Sequence, residues 1–160
     1  MGEAMNAKQN TDRQTLRAHM TVHDATAAIA FYAKAFGAVE AFRLVEPASG
    51  KVGHAEIRIG DSILMLNDEY PDFGARSPAA TGGSPVAFHI QVADADKAVD
   101  RAVKAGATLV RPVQDQFYGD RSGMVACPFG YRWFLAASKE AVSPAEMQKR
   151  WSEMLEGGKT

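Results

Sequence analysis

A stretch near the start of the chain, Ala18-His19-Met20-Thr21-Val22-His23-Asp24-Ala25, returns 70 residues later as Phe88-His89-Ile90-Gln91-Val92-Ala93-Asp94-Ala95. Aligned without gaps, residues 18–35 and 88–105 agree at seven places: His19/His89, Val22/Val92, Asp24/Asp94, Ala25/Ala95, Ala28/Ala98, Lys34/Lys104 and Ala35/Ala105. Each copy runs from a short alternating segment through an Asp to an apolar stripe at helical spacing, and then to Gly-Ala at 37–38 and 106–107. A chain built this way is expected to fold as two similar modules, so the duplication is settled before any local assignment.

Within the first copy, Leu16, Ala18, Met20 and Val22 alternate with Arg17, His19 and Thr21, the period of a half-buried strand. Asp24 then caps a helix whose Ala25, Ala28, Ile29, Tyr32 and Phe36 share one face and which Gly37 stops. A weaker strand near 42–45 follows, then an alternating strand over 54–59, a Gly60-Asp61 turn and the apolar run Ile63-Leu64-Met65-Leu66. Residues 67–85, with Pro71, Pro78 and Pro85 and with Gly74, Gly82 and Gly83 among them, read as the link between halves. The second copy repeats the order: a strand over 86–92, a helix over 95–105, a strand over 108–111, further extended chain from Val113 to Val125, and a last strand over 131–136. Ser143-Pro144-Ala145-Glu146 is a helix start, and the helix expected over 143–155 carries Met147, Trp151, Met154 and Leu155 on one stripe.

Composition narrows the partners. With 18 basic against 19 acidic residues and no run of Lys or Arg, the chain lacks an electrostatic footprint for nucleic acid or an anionic membrane. No apolar run reaches the roughly 18 residues of a spanning helix, the first residues carry no signal-peptide core, and the single Cys127 forms no internal disulfide, all of which fit a cytoplasmic protein. Residues 1–14 are polar and aperiodic and are expected to be a flexible tail.

The doubled strand-helix-three-strand order carries Val-x-Asp-Ala at the opening of each helix, Phe31-Tyr32 and Phe36-Gly37-Ala38 at the close of the first, and Pro128-Phe129-Gly130 ahead of Trp133. In this it resembles the vicinal oxygen chelate superfamily, which includes glyoxalases, bleomycin-resistance proteins, extradiol dioxygenases and fosfomycin-resistance enzymes. His54-Ala55-Glu56-Ile57, Ile59-Gly60-Asp61-Ser62, Leu64-Met65-Leu66 and Phe117-Tyr118-Gly119-Asp120-Arg121-Ser122-Gly123 are most similar to its PhnB-like branch. The resemblance covers residues 15–138. It implies an α+β fold of two βαβββ modules, about 15–70 and 85–138, forming a cup-shaped mixed sheet with helices outside, plus the C-terminal helix. It also implies a homodimer.

In the catalytic members four side chains, one from the first and one from the last strand of each module, hold a metal. Carried over, these positions fall on Arg17, Leu64, Ala87 and Phe134, none of which offers imidazole, carboxylate or thiolate. No metal and no other cofactor is therefore expected. The same placement turns Arg17, His19, Thr21, Ala87, His89, Gln91, Leu64, Leu66, Arg132 and Phe134 toward the cup, and Met20, Val22, Ile90, Val92 and Trp133 toward the helices. The ligand-binding candidates are Arg17, His19, Leu64, His89, Tyr118, Arg121 and Phe134, an apolar pocket with a few polar groups.

Each candidate has a plainer alternative. His19 and His89 serve equally as hydrogen-bonded structural imidazoles, or as metal ligands with His54 or Glu56; Asp120 and Arg121 serve as a structural pair; Cys127, with no base nearby in sequence, reads as an inert buried thiol. The function expected is metal-independent binding of an aromatic or amphipathic small molecule, of the bleomycin-resistance type and extending to antibiotic sequestration. The alternatives are a metal-dependent lyase, isomerase or dioxygenase with a shifted ligand set, and a fold that serves only to dimerise and hold a partner.

Overall fold

The computed structural model describes residues 14–158. Asp24 Oδ1 accepts from Ala27 N at 2.9 Å and Asp94 Oδ1 from Lys97 N at 3.0 Å, so each repeated Asp starts its helix as the sequence requires. The first module runs β1 (Ala18–Thr21), α1 (Ala25–Phe36), β2 (Val39–Val45), β3 (Val52–Ile59) and β4 (Ser62–Asn67). The second runs β5 (Ala87–Gln91), α3 (Ala95–Ala105), β6 (Thr108–Asp115), β7 (Asp120–Ala126) and β8 (Arg132–Ser138). The segment between them, expected as plain loop, holds a 3₁₀ turn over Pro71–Phe73 and a short helix α2 (Pro78–Thr81).

The two sheets have one topology, β1-β4-β3-β2 and β5-β8-β7-β6, with β1 parallel to β4, β5 parallel to β8 and the remaining pairs antiparallel. This is the α+β fold of two similar modules that the duplication predicts. The helical faces of both sheets share a single core, in which Trp133, Tyr32, Met20, Ile57, Leu66 and Leu135 are the largest fully buried side chains. Aromatic rings join the modules: Tyr32 and Phe36 of α1 lie 5.2 and 4.7 Å from Trp133 of β8. Cross-module hydrogen bonds accompany them, among them those from Tyr131 Oη to Thr21 O at 3.0 Å and from Arg101 Nε to Lys34 O at 2.7 Å. Burial, with Cys127 Sγ 3.4 Å away, pushes the Tyr32 phenol far above the ordinary tyrosine range, so it stays neutral.

The C-terminal helix α4 (Pro144–Gly157) starts at Ser143, whose Oγ accepts from Glu146 N at 3.2 Å. It buries no residue, and Trp151, Met154 and Leu155 of its stripe are about half exposed. Of the expected N-terminal tail, residues 1–13 lie outside the described residues. Gln14 is placed, its side-chain oxygen accepting from Ile63 N at 3.0 Å.

Candidate functional site

Residues paired across neighbouring strands share a face of the sheet, so register decides which side chains can meet. In the first module one row crosses the open face, opposite the helices, from His19 to Met65 to Glu56 to Phe42. In the second module the matching row is His89, Phe134, Met124 and Arg111. The two repeated histidines therefore hold equivalent places, and both are exposed.

The same registers correct the first-module assignment. His19 pairs with Met65 but His89 with Phe134, so the second copy is one residue shorter between its first and last strands, and the gapless offset of 70 fails there. Leu64 pairs with Ala18, is 8% exposed and joins the core, as does Leu66; neither faces the open side. Met65 stands where Leu64 was expected. The four positions implied to carry metal ligands become Arg17, Met65, Ala87 and Phe134. They supply a guanidinium, a thioether, a methyl and a phenyl ring, which do not fit a divalent metal of the kind the superfamily's enzymes use.

Arg121 is also elsewhere. Its Nε and Nη2 donate to the two carboxylate oxygens of Asp96 on α3, at 2.7 and 3.0 Å, and its Nη1 donates to Asp115 at 3.0 Å. The side chain thus turns to the helical side as a structural clamp, with Asp96 and Asp115 as its partners in place of the expected Asp120. Arg121, with Lys139 at Asp115, holds both carboxyls below the ordinary aspartate range.

On the first open face His19 meets His54 edge-on, ring centroids 5.6 Å apart, and His54 in turn lies 5.8 Å from Phe42. His54 Nε2 is 3.6 Å from Glu56 Oε1. Among the described residues no three His, Cys, Asp or Glu side chains are arranged to hold a metal ion. Beside this cluster opens a cavity of about 690 Å³ lined by residues of the first module and the segment after it: His19, Thr21, Gly53, Asn67, Tyr70 and Phe73 among them. Asn67 is buried, and its Nδ2 donates to Thr21 Oγ1 at 3.5 Å and Asp68 O at 2.6 Å. Tyr70 and Phe73 come from the segment expected as a linker. The polar run Asn67-Asp68-Glu69-Tyr70 at the end of an apolar strand is the signal that marks this wall in the sequence.

On the second open face His89 stacks on Phe134 at 6.0 Å, and Tyr118 Oη lies 3.4 Å from Ser122 Oγ, one row along. His89, Phe134 and Tyr118 are thus gathered on one module, and His19 belongs to the other, with His54 rather than His89 as its ring partner. Arg17 lies just before β1, half-buried. Cys127 is buried, as expected.

No helix among the described residues is long and apolar enough to cross a membrane. A family model described as the Glyoxalase/Bleomycin resistance protein/Dioxygenase superfamily matches residues 15–135. An uncharacterized protein of Mycobacterium bovis is 44% identical over 145 residues, which cover 89% of this chain and 95% of that protein. Among solved structures, an Arabidopsis thaliana gene product is 29% identical with a TM-score of 0.61, over 77% of this chain and 98% of that one. TioX from Micromonospora sp. ML1 is 25% identical with a TM-score of 0.60, over 81% of this chain and all of TioX.

Proposed function

The chain belongs to the glyoxalase/bleomycin resistance protein/dioxygenase superfamily, and from that premise we propose that it binds an aromatic or amphipathic small molecule without a metal, in the cavity beside His19. One observation carries the reading: Arg17, Met65, Ala87 and Phe134, which fall where the resemblance puts the enzymes' metal ligands, offer no such ligand, while the neighbouring cavity keeps the mixture of aromatic walls and a few polar groups that suits an organic ligand. Tyr70 and Phe73 offer ring faces, and Thr21, Asn67 and His19 offer hydrogen bonds that fix orientation. Sequestration of an antibiotic is the biological form this binding takes in our reading. The motifs at 54–66 and 117–123 lead us to place the chain in the PhnB-like branch, and we take it to be a cytoplasmic homodimer.

Two measurements test the proposal together. Elemental mass spectrometry of the purified chain is expected to give substoichiometric Zn, Ni, Mn, Fe and Co, and none of these ions should raise the melting temperature. Aromatic compounds that do raise it should lose at least about tenfold in affinity in Gly53→Leu, because Gly53 lines the cavity and a side chain there fills it without entering the core. Stoichiometric metal, or hits that bind the variant as well as the parent, would overturn the reading.

A further inference from the structure

We propose a second ligand site on the helical side of the molecule, in the second module, that takes a small organic anion with an apolar body. The duplication makes the site visible, because the two modules treat equivalent positions differently. In the first module Met20, Val22 and Ala28 are completely or almost completely buried, at 1%, 0% and 0% exposure. Their counterparts Ile90, Val92 and Ala98 are all partly exposed, and they line a slot of about 300 Å³ floored also by Phe36 and Leu135. That volume is at the lower end for small-molecule sites.

Two changes leave the slot open. Five residues, 127–131, connect β7 to β8, and Phe129 from that connection packs on Phe31 of α1 and beside His23, closing the first module's face. The matching β3–β4 turn has only Gly60 and Asp61 and carries no such aromatic. In addition, the position of Phe31 is taken in the second module by Arg101. An aromatic plug has been exchanged for a cation at the edge of an apolar slot.

The charge around that edge selects the ligand. Lys97 and Arg101 also border an adjoining hollow of about 410 Å³ lined with Lys34, Asp100 and Lys104. Asp100 is engaged by Lys104 at 2.7 Å, and Lys97 has only a 4.0 Å approach to Asp94. Arg101 gives its donors to the carbonyls of Lys34 and Ala33 and so keeps its charge uncancelled by a carboxylate while being held in place. Four cations against two carboxylates, next to apolar floor, complement a carboxylate or similar anion on a hydrocarbon or aryl body, and reject the neutral or cationic analogue.

The test uses the full chain, isotopically labelled, titrated with 4-phenylbutyrate, its neutral amide and 4-phenylbutylamine while backbone amide shifts are followed. The acid should move the amides of Ile90, Val92, Lys97 and Ala98, and bind about tenfold or more tighter than the amide or the amine. Lys97→Glu, at an exposed side chain that folding does not need, should weaken the acid by about tenfold; Ala98→Leu should abolish its binding by filling the slot. Gly53→Leu, which closes the cavity near His19, should leave this binding unchanged, so the two sites fail independently. Equal binding of the three probes, no binding of the acid at about 1 mM, shifts confined to the His19 cavity, or indifference to both Lys97→Glu and Ala98→Leu in folded variants would each overturn the proposal.

Discussion

Gly130 has a positive φ of 86°, and an added Cβ would stand 2.5 Å from Cβ of Pro78. Its spacing partner Gly60 has φ of 59° but nothing within 4 Å of the same position. The pair separates two costs that are usually confounded. Gly60→Ala should lose only the left-handed strain, about 1 kcal/mol, whereas Gly130→Ala should add overpacking against the buried Pro78 for a total of about 3 kcal/mol, read from urea midpoints. Arg121 yields a second residue-scale prediction. Its hydrogen bonds to Asp96, and those of Lys139 and Arg121 to Asp115, depress both carboxyl pKa values. A depressed folded-state pKa adds stability that is present above the unfolded-state value and is lost as pH falls through the folded one. Arg121→Met should therefore lower stability at neutral pH and flatten the acid limb below the ordinary aspartate range, its curve converging with the parent's at the acid end. An unchanged pH profile would show that this exposed clamp contributes nothing.

At the level of elements, Asp68 does more than its place after a strand suggests. Oδ1 accepts from Ala25 N at 2.7 Å and Oδ2 from Val52 N at 2.7 Å, so one carboxylate ties the start of α1 to the start of β3. Asp68→Ala strands two backbone donors and should cost about 2–3 kcal/mol in chemical denaturation, more than the roughly 1 kcal/mol expected for removing the simpler cap in Asp94→Ala. The caps, both module helices and the strands are legible in the sequence, apart from the full extent of β2, β3 and β6 and the break between β6 and β7, because alternation and an Asp before an apolar stripe are local signals. Asp68 is not, since its partners are 43 and 16 residues away. Nor is the face of β4: a continuous apolar run has no alternation to read, and the shortened second copy shifts a gapless alignment by one residue, enough to exchange Leu64 for Met65. The wall of the cavity escapes for a different reason. Tyr70 and Phe73 belong to an irregular segment that lines the same cavity as His19, a long-range arrangement that no periodicity signals.

For the molecule as a whole, the unfinished surfaces matter most. Phe42 and Leu44 stand 42% and 59% exposed on the first module, and Trp151, Met154 and Leu155 are about half exposed on α4. Single exposed apolar side chains are ordinary, but three on one stripe of a helix that buries nothing call for a partner. The helix is held in position without that partner: Arg150 donates to Phe117 O at 3.1 Å and to Glu140 at 2.7 Å, fixing the stripe's orientation as a preformed surface. A second copy of the chain is the occupant we expect, since an isologous contact lets the same stripe serve both partners. Light scattering on the parent should then give twice 17.2 kDa, and the double variant Trp151→Glu, Met154→Glu should give 17.2 kDa with its circular dichroism spectrum intact, because neither residue enters the core. A parent already at 17.2 kDa would remove the homodimer. A charged variant that stays paired would move the interface away from α4, and the exposed Phe42 and Leu44 would be the next surface to substitute.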